Sequence, residues 1–262
     1  LQLPAPSQFL RVEQLAILEP DAQRFLIRDI SFQLRAGENL CVIGASGAGK
    51  STLLNMIAGL YAPTSGSVLY DGQAVHGANT DVGYMTQKDN LLPWRTVIDN
   101  VAMPLELAGC PISERHEKAR AMLAEVGLSG FENKYSNELS GGMRKRACLA
   151  RMLMYGPQSL LLDEPFAALD AQLRIAMHEL LLKLWAQRKQ VIVLVTHDLV
   201  EAICLADRVI GFTNRPAQIS FEYSIDLPRP RNVQDMRFTP EFHQIYNDIW
   251  GRMRGQYHEL SS

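Results

Sequence analysis

The sequence has few features that would set it apart from ordinary globular proteins. Its four cysteines, Cys41, Cys110, Cys148 and Cys204, lie far apart without CxxC spacing. This argues against a zinc site or a disulfide framework and favours a reducing compartment. No apolar run approaches the ~20 residues that a membrane span needs. Residues 1–6 lack the layout of a signal peptide, so we expect a protein that is soluble on its own.

An excess of charge of one sign is also absent. The formal net charge of the 262 residues is -2, and 21% of them are charged. A nucleic-acid-binding domain usually has a basic excess, so we expect no nucleic acid partner. Hydrophobic residues make up 47% of the chain, which is enough for one large domain.

The hydrophobic pattern predicts an α/β fold. Continuously apolar runs at 40–43, 159–162 and 191–195 are typical of strands buried on both faces of a parallel sheet. Shorter strands are predicted within 9–43 and 66–86. The pattern then changes to helix between 91 and 155, which indicates a mostly parallel sheet with an inserted helical lobe.

The end of the chain carries weaker signals. Residues 171–188 have an amphipathic helical pattern. Residues 215–262 contain four prolines, at 216, 228, 230 and 240, and then a short helical stretch, so we expect a loosely specified tail. We find no internal repeat and no low-complexity tract in the sequence.

A glycine-rich loop follows the first buried strand. Its residues fit the phosphate-binding pattern G-x-x-x-x-G-K-[ST] and are Gly44, Ala45, Ser46, Gly47, Ala48, Gly49, Lys50 and Ser51, with Thr52 next to them. Glycines let backbone N–H groups face phosphate oxygens, and the following helix start favours an anion. We expect Lys50 to contact the β- and γ-phosphates and Ser51 to bind Mg²⁺. A plain turn before a helix is the alternative, but the strand–loop–helix context favours nucleotide binding.

An acidic pair follows the second buried strand. Asp163 could hold Mg²⁺ directly or through water and so complete the Ser51 site. Glu164 could polarise or deprotonate the water that attacks the γ-phosphate. Such a pair could also merely cap a helix. Its presence on the same chain as the phosphate-binding loop favours the nucleotide interpretation.

The third motif is the LSGGM segment at 139–143. Ser140, Gly141 and Gly142 offer a hydroxyl, bare backbone amides and a helix dipole, which together make a second anion site. Alone, the segment would indicate only a capped helix. Placed between the two nucleotide motifs and followed by the basic residues 144–146, it is poorly explained by chance.

With these motifs the chain resembles the ATP-binding subunits of ABC transporters over most of its length. The resemblance implies ATP and Mg²⁺ as cofactors, with Gln87 joining Ser51 and Asp163 around the metal. It also implies that Asp170 lies at a dimer interface. His197, in the segment THD, looks like the switch histidine that orients water against Glu164.

The same resemblance implies a fold. It is a P-loop NTPase core with a mostly parallel sheet, an antiparallel N-terminal β subdomain and an inserted helical subdomain. Within one ABC ATPase domain over 1–262, the core and β subdomain would take 1–88 and 156–214. The helical signature subdomain would take 89–155, and the C-terminal tail 215–262.

A narrower resemblance points to the nitrate/sulfonate/taurine import branch. It rests on the segments QKDNLLPW at 87–94, DEPF at 163–166, EAICLADR at 201–208 and PRPR at 228–231. In that branch Trp94 lies where the coupling helix of a membrane subunit docks, although it could also be a simple apolar anchor.

This resemblance implies several partners. They are a second ATP-binding subunit, two membrane permease subunits docking near residues 87–94 and, indirectly, a substrate-binding protein. The chain would be peripheral, at the cytoplasmic face of the cell (inner) membrane. It would energise a bacterial importer of small anions such as nitrate, sulfonates or taurine.

The chain departs from the family pattern in three places. An aromatic that stacks on adenine is usual upstream of the phosphate loop, but 18–24 contains none. Phe25 is the nearest candidate, and we expect it to be a core strand residue instead. Lys145 stands where glutamine is common, and Ala168 where serine or glycine is usual.

Other functions are considered beside the importer. A soluble ABC ATPase for DNA repair or chromosome structure would need a long coiled-coil insertion, and 52–138 is too short for it. Translation factors of this type carry two such modules. A nucleotide-binding scaffold without hydrolysis is disfavoured because Glu164 and His197 are both present. Another importer branch also remains open.

Overall fold

The computed structural model describes residues 8–19 and 24–258. The strands are β1 (Gln8–Glu19), β2 (Arg24–Arg35), β3 (Asn39–Ile43), β4 (Ser65–Tyr70), β5 (Gln73–Ala74), β6 (Val82–Met85), β7 (Ser159–Asp163), β8 (Val191–Thr196), β9 (Arg208–Phe212) and β10 (Ile219–Ser224). The helices are α1 (Lys50–Ile57), α2 (Val97–Leu107), α3 (Ile112–Glu125), α4 (Gly141–Leu153), α5 (Ala171–Arg188), α6 (Leu199–Leu205) and α7 (Pro240–His258).

The main sheet brings three chain segments to one edge. Its strand order is β10-β9-β3-β8-β7-β6, and all neighbours except β10 and β9 are parallel. Every residue of β3, β7 and β8 is buried, as the apolar runs predict. Ile43 pairs with Thr196, and Asp163 with Val195. The three segments that follow these strands therefore begin side by side.

A second, antiparallel sheet covers one side of the phosphate loop and α1. Its order is β2-β1-β4-β5. One apolar cluster joins this sheet to α1 and the main sheet, and it includes Leu10, Ile27, Leu40, Leu53 and Val193. The predicted antiparallel N-terminal β subdomain is thereby confirmed.

The helices α2, α3 and α4 lie between β6 and β7 in the chain and have a core of their own. That core includes Val101, Leu123 and Ala147, which are fully buried. The N-terminus of α2 is capped by Thr96, whose side chain accepts a hydrogen bond from the Asp99 backbone. The inserted helical lobe is confirmed.

The end of the chain is more ordered than its sequence suggests. Strand β10 adds an antiparallel edge to the main sheet. The expectation of a short helical stretch is wrong, because α7 spans 19 residues. Phe242, Ile245 and Ile249 form its buried face, and α7 packs against α6. Among the described helices, none is both long enough and apolar enough to cross a membrane.

Candidate nucleotide site

The phosphate loop leaves β3 and wraps around the amine of Lys50. Gly47 and Gly49 adopt φ values of 76° and 92°, which side chains rarely adopt. Lys50 Nζ donates hydrogen bonds of 2.8 Å to the carbonyls of Gly44 and Ala45. Burial lowers the pKa of Lys50, while Glu164 opposes that shift. The loop thus surrounds a cation and opens onto the start of α1.

Oxygen ligands suited to a hard cation lie beside the loop. Ser51 Oγ donates a 3.0 Å hydrogen bond to Asp163 Oδ1. Burial raises the pKa of Asp163, and the bond from Ser51 lowers it. Among the described residues no group of three or more His, Cys, Asp and Glu side chains could hold a metal alone. This donor set fits Mg²⁺, which takes one or two carboxylates together with substrate phosphates.

Glu164 directly follows β7 and contacts residues in the segments that follow β6 and β8. Its φ is 44°, and its backbone N–H donates to the Val195 carbonyl at 2.9 Å. Its Oε2 is 3.3 Å from His197 Nδ1. The same oxygen accepts a 3.4 Å hydrogen bond from Gln87 Nε2. The structure therefore brings two predicted site residues, Gln87 and His197, to one carboxylate oxygen of a third, Glu164.

The turn that bears His197 is fixed by contacts that the sequence motifs do not predict. Thr196 Oγ1 donates a 2.5 Å hydrogen bond to Glu201 Oε2 and accepts a 3.0 Å bond from the Asp198 backbone. Arg174 forms a 2.7 Å ion pair with Asp198. Thr196 and Glu201 are buried, whereas the His197 side chain is 62% exposed. A fixed turn therefore presents an exposed imidazole, in contact with Glu164, to the site.

The signature segment begins α4 and faces outward. Ser140 caps the helix, since its Oγ accepts a 3.3 Å bond from the Met143 backbone. Ser140 and Gly141 are exposed, while Gly142 packs against Leu173. The hydrogen bonds of Ser140 in the described structure stay within the first turn of α4. The structure does not join Ser140 to the phosphate loop of its own chain by a hydrogen bond.

Asp170 caps the next helix. Its Oδ1 accepts a 3.0 Å hydrogen bond from the Leu173 backbone at the start of α5. The Asp170 residue itself is exposed. Among the described residues, no hydrogen bond joins Asp170 to Lys50 or Ser51.

Phe25, the nearest candidate for stacking on adenine, is not buried as the sequence predicts. Phe25 lies in β2, but it is 36% exposed, so the expectation of a core residue is wrong. Continuous burial of this strand's core face begins only at Ile27. The Arg28 guanidinium lies 5.7 Å from the Phe25 ring centroid. Residues 20–23 of the segment that lacks an aromatic lie outside the described residues.

The structure also shows Arg215 in contact with the phosphate loop, and Trp94, the predicted contact of a membrane subunit, at the surface. Arg215 Nε donates a 2.7 Å hydrogen bond to the Gly47 carbonyl on the outside of the phosphate loop. No motif signalled this contact, because Arg215 follows β9, far along the chain. Trp94 is 71% exposed.

The chain is similar to known proteins over most of its length. Residues 27–167 match the family described as ABC transporter. A nitrate import ATP-binding protein from Synechocystis is 43% identical over 88% of this chain and 88% of its own length. A taurine import ATP-binding protein from Pseudomonas putida is 42% identical over 96% and 97%. A dimeric ATP-binding cassette, MJ0796, was solved with ADP and Pi and is 28% identical to this chain. The two structures superpose with a TM-score of 0.75, and the match covers 84% of this chain and 100% of that one.

Proposed function

This chain belongs to the ABC transporter family, and we propose that it is the ATP-hydrolysing subunit that energises an importer of small anions such as nitrate or taurine. The observation that carries the chemistry is the convergence of Gln87 and His197 on Glu164, beside the loop that surrounds Lys50. The transported molecule would not contact this subunit, so its own residues cannot identify that molecule. We therefore take the substrate class from the nitrate and taurine import relatives named above.

The residues take distinct roles in this proposal. Residues 44–52 bind the phosphates through their backbone amides, and Lys50 exchanges its carbonyl partners for phosphate oxygens. Glu164 accepts a proton from the water whose oxygen attacks the γ-phosphorus. The bond between that phosphorus and the β–γ bridging oxygen breaks, so ADP leaves and the transferred phosphoryl group becomes inorganic phosphate. His197 and Gln87 orient that water against Glu164.

A divalent cation would be held by Ser51, Gln87 and Asp163. Mg²⁺ bound there would neutralise charge that develops on the β- and γ-phosphate oxygens. The hydrogen bond between Ser51 and Asp163 supports the assignment, because it keeps both oxygens at one point at the end of β7. Gln87 supplies a third, neutral oxygen from its amide.

We propose that the site is completed by a second copy of the chain. Ser140, Gly141 and Gly142 of one copy would face the γ-phosphate held by Lys50 of the other, and Asp170 would lie at the interface. The exposure of Ser140 at a helix start supports this, because a helix N-terminus favours an anion. A dimeric neighbour that holds ADP and Pi supports it as well.

The membrane partners would dock beside the same segment. Residues 87–94 lead from Gln87 to Trp94, whose exposed ring offers an apolar contact for a permease subunit. Two permease subunits and a substrate-binding protein complete the proposed importer, with this chain peripheral at the cytoplasmic face of the membrane. The proposed subdomain bounds remain 89–155 for the helical part and 215–262 for the tail.

The variant Glu164→Gln tests the proposal. Glutamine cannot accept the proton, so we expect turnover to fall by about 10²- to 10⁴-fold while ATP binding persists. The variant should then form a dimer with ATP, measured by size exclusion with light scattering. Glu179→Gln, on the exposed face of α5, is the matched control and should hydrolyse ATP normally. A Glu164→Gln protein that stays monomeric with ATP would count against the shared site.

The variant Lys50→Ala tests the phosphate loop separately. Removing the amine should abolish ATP binding, since Lys50 Nζ is the cation that the loop carbonyls of Gly44 and Ala45 hold in place for the phosphates. Equilibrium binding of a fluorescent ATP analogue measures this directly. Tight binding by Lys50→Ala would contradict the assigned role of the loop.

A further inference from the structure

Lys145 is a buried cation whose charge the nucleotide motifs do not explain. Its side chain is 3% exposed on α4. Nζ donates a 2.6 Å hydrogen bond to the Gln87 carbonyl and lies 3.0 Å from Asp89 Oδ1. An ammonium group is costly to bury unless it is paired, so these two contacts are what make the position tolerable. Both contacts reach the segment that carries Gln87.

The carboxylate of Asp89 is held on both sides. Arg144 Nε lies 3.0 Å from Asp89 Oδ2, while Lys145 takes the other oxygen. We name Asp89, Arg144 and Lys145 the loop clamp. Further along α4, Cys148 Sγ donates to the Asp89 carbonyl and Arg151 donates to the Asn90 carbonyl at 2.9 Å. The segment 87–90 is therefore attached along two turns of one helix.

That helix also carries the signature residues. Ser140 caps α4, and Lys145 follows within its second turn. At the other end of the segment, Gln87 Nε2 reaches Glu164. The loop clamp thus connects α4, which would face a partner's nucleotide, to Gln87, whose side-chain amide contacts the carboxylate of Glu164.

We propose that Lys145 is a positioning residue, which through the loop clamp fixes Gln87 to the signature helix and so sets its place against Glu164. The inference rests on the proposed role of Gln87 in hydrolysis. Lys145 does not touch the reacting atoms. Its effect on hydrolysis passes through the Gln87 backbone, which it holds by a direct hydrogen bond.

The first test follows amide hydrogen exchange in the nucleotide-free full chain. Lys145→Met keeps the length of the side chain and removes its charge and donors, while Asp89 keeps its pair with Arg144. We expect exchange at residues 87–90 to quicken by about tenfold, because breaking a buried ion pair frees the segment. Lys118→Met, which removes an exposed pair with Glu114 on α3, is the control and should leave that segment unchanged.

The second test separates positioning from folding. Lys145→Met should lower kcat by about tenfold, since a small displacement of an orienting group is enough for such a loss. The KM for ATP should change by less than about twofold, because the phosphate loop is intact. In a Gln87→Ala background, Lys145→Met should have no further effect on kcat, since the group it positions is gone.

Three outcomes would overturn the inference. The first is that the exchange rate and kcat of Lys145→Met equal those of Lys118→Met. The second is that Lys145→Met lowers kcat by the same factor in the Gln87→Ala background as in the parent chain. If Gln87→Ala itself hydrolyses ATP normally, the proposed role of Gln87 fails and the inference with it. Impaired Gln87→Ala beside normal Lys145→Met would refute the inference alone and leave the proposed function standing.

Discussion

Asp163 is a buried carboxylate whose proposed role in binding a cation lowers the stability of the folded chain. The residue is 8% exposed, and burial raises its pKa despite the hydrogen bond from Ser51. An ionised carboxylate there is disfavoured until a cation arrives. Binding a cation would therefore remove a cost that the folded chain otherwise carries.

We predict that Asp163→Asn raises the melting temperature while it abolishes hydrolysis. Asparagine keeps an oxygen that can accept from Ser51 but carries no charge to desolvate. In Mg²⁺-free buffer at neutral pH, calorimetry should record a rise of a few degrees, about the shift that 1 kcal/mol produces in a chain of this size. Asp226→Asn, at an exposed position, is the control and should change nothing.

The pH dependence of that difference has a definite sign. Burial raises the folded pKa of Asp163 above its ordinary value, so the cost of its charge is fully present above the folded pKa. The cost is lost as the pH falls through the folded pKa towards the unfolded one. The melting temperatures of Asp163→Asn and the parent chain should thus converge in acid. A gap that widens in acid would contradict this account.

The contact between α4 and α5 depends on one glycine. A Cβ atom added at Gly142 would lie 2.2 Å from Leu173 Cδ2, which is closer than side chains approach. The same atom at Gly141 would meet only the Arg144 side chain, at 3.8 Å. Gly142 is therefore packed too closely against Leu173 for a larger side chain, whereas Gly141 has room for one.

We predict that Gly142→Ala destabilises the chain by about 1–3 kcal/mol, the usual cost of overpacking. Urea unfolding measures this change. Gly141→Ala should alter stability far less, and adding Leu173→Ala to Gly142→Ala should remove the clash. If Gly142→Ala unfolds at the same urea concentration as the parent chain, the contact between the helices is looser than described.

Elements whose signals are local could be predicted from the sequence. The helix at 171–188 has the bounds of α5, and Asp170 caps it through a bond to a residue three positions on. The buried strands β7 and β8 follow from continuous apolar runs. Their parallel pairing then places Asp163 beside Val195.

Contacts between distant segments could not be predicted. The burial of Lys145 depends on Asp89, which belongs to another segment, and a charged residue in a helix usually predicts a solvated face. The strand β10 has an alternating half-buried pattern, and only its pairing with β9 makes it part of the main sheet. Phe25 is exposed because burial in β2 starts two residues later.

At the scale of the whole molecule, the proposed nucleotide site has two parts that no hydrogen bond among the described residues connects. Glu164 raises the pKa of Lys50 against the effect of burial, so the two charges act on each other. Ser140 is exposed at the start of α4, and its described hydrogen bonds stay within that helix. In a two-fold symmetric dimer, each ATP would meet Lys50 and Glu164 from one chain and Ser140 from the other.

This arrangement predicts complementation between two inactive chains. Lys50→Ala disables the site built on its own phosphate loop, and Ser140→Arg disables the site on its partner's loop. When the two chains pair, both defects fall in one site and the other site is intact. Random pairing should then restore about one quarter of the parent rate, since half of the dimers carry one of two working sites.

The matched control mixes Lys50→Ala with Glu164→Gln. Each of these defects lies in the site of its own chain, so every mixed dimer has two damaged sites and no activity should return. ATP hydrolysis is measured after both chains are mixed in equal amounts, with each variant also measured alone. Equal recovery in the two mixtures, or no recovery in either, would mean that Ser140 does not act across the interface. Recovery only with Ser140→Arg requires that one chain's signature serine serves the nucleotide held by the other, because no single chain in that mixture has an intact set.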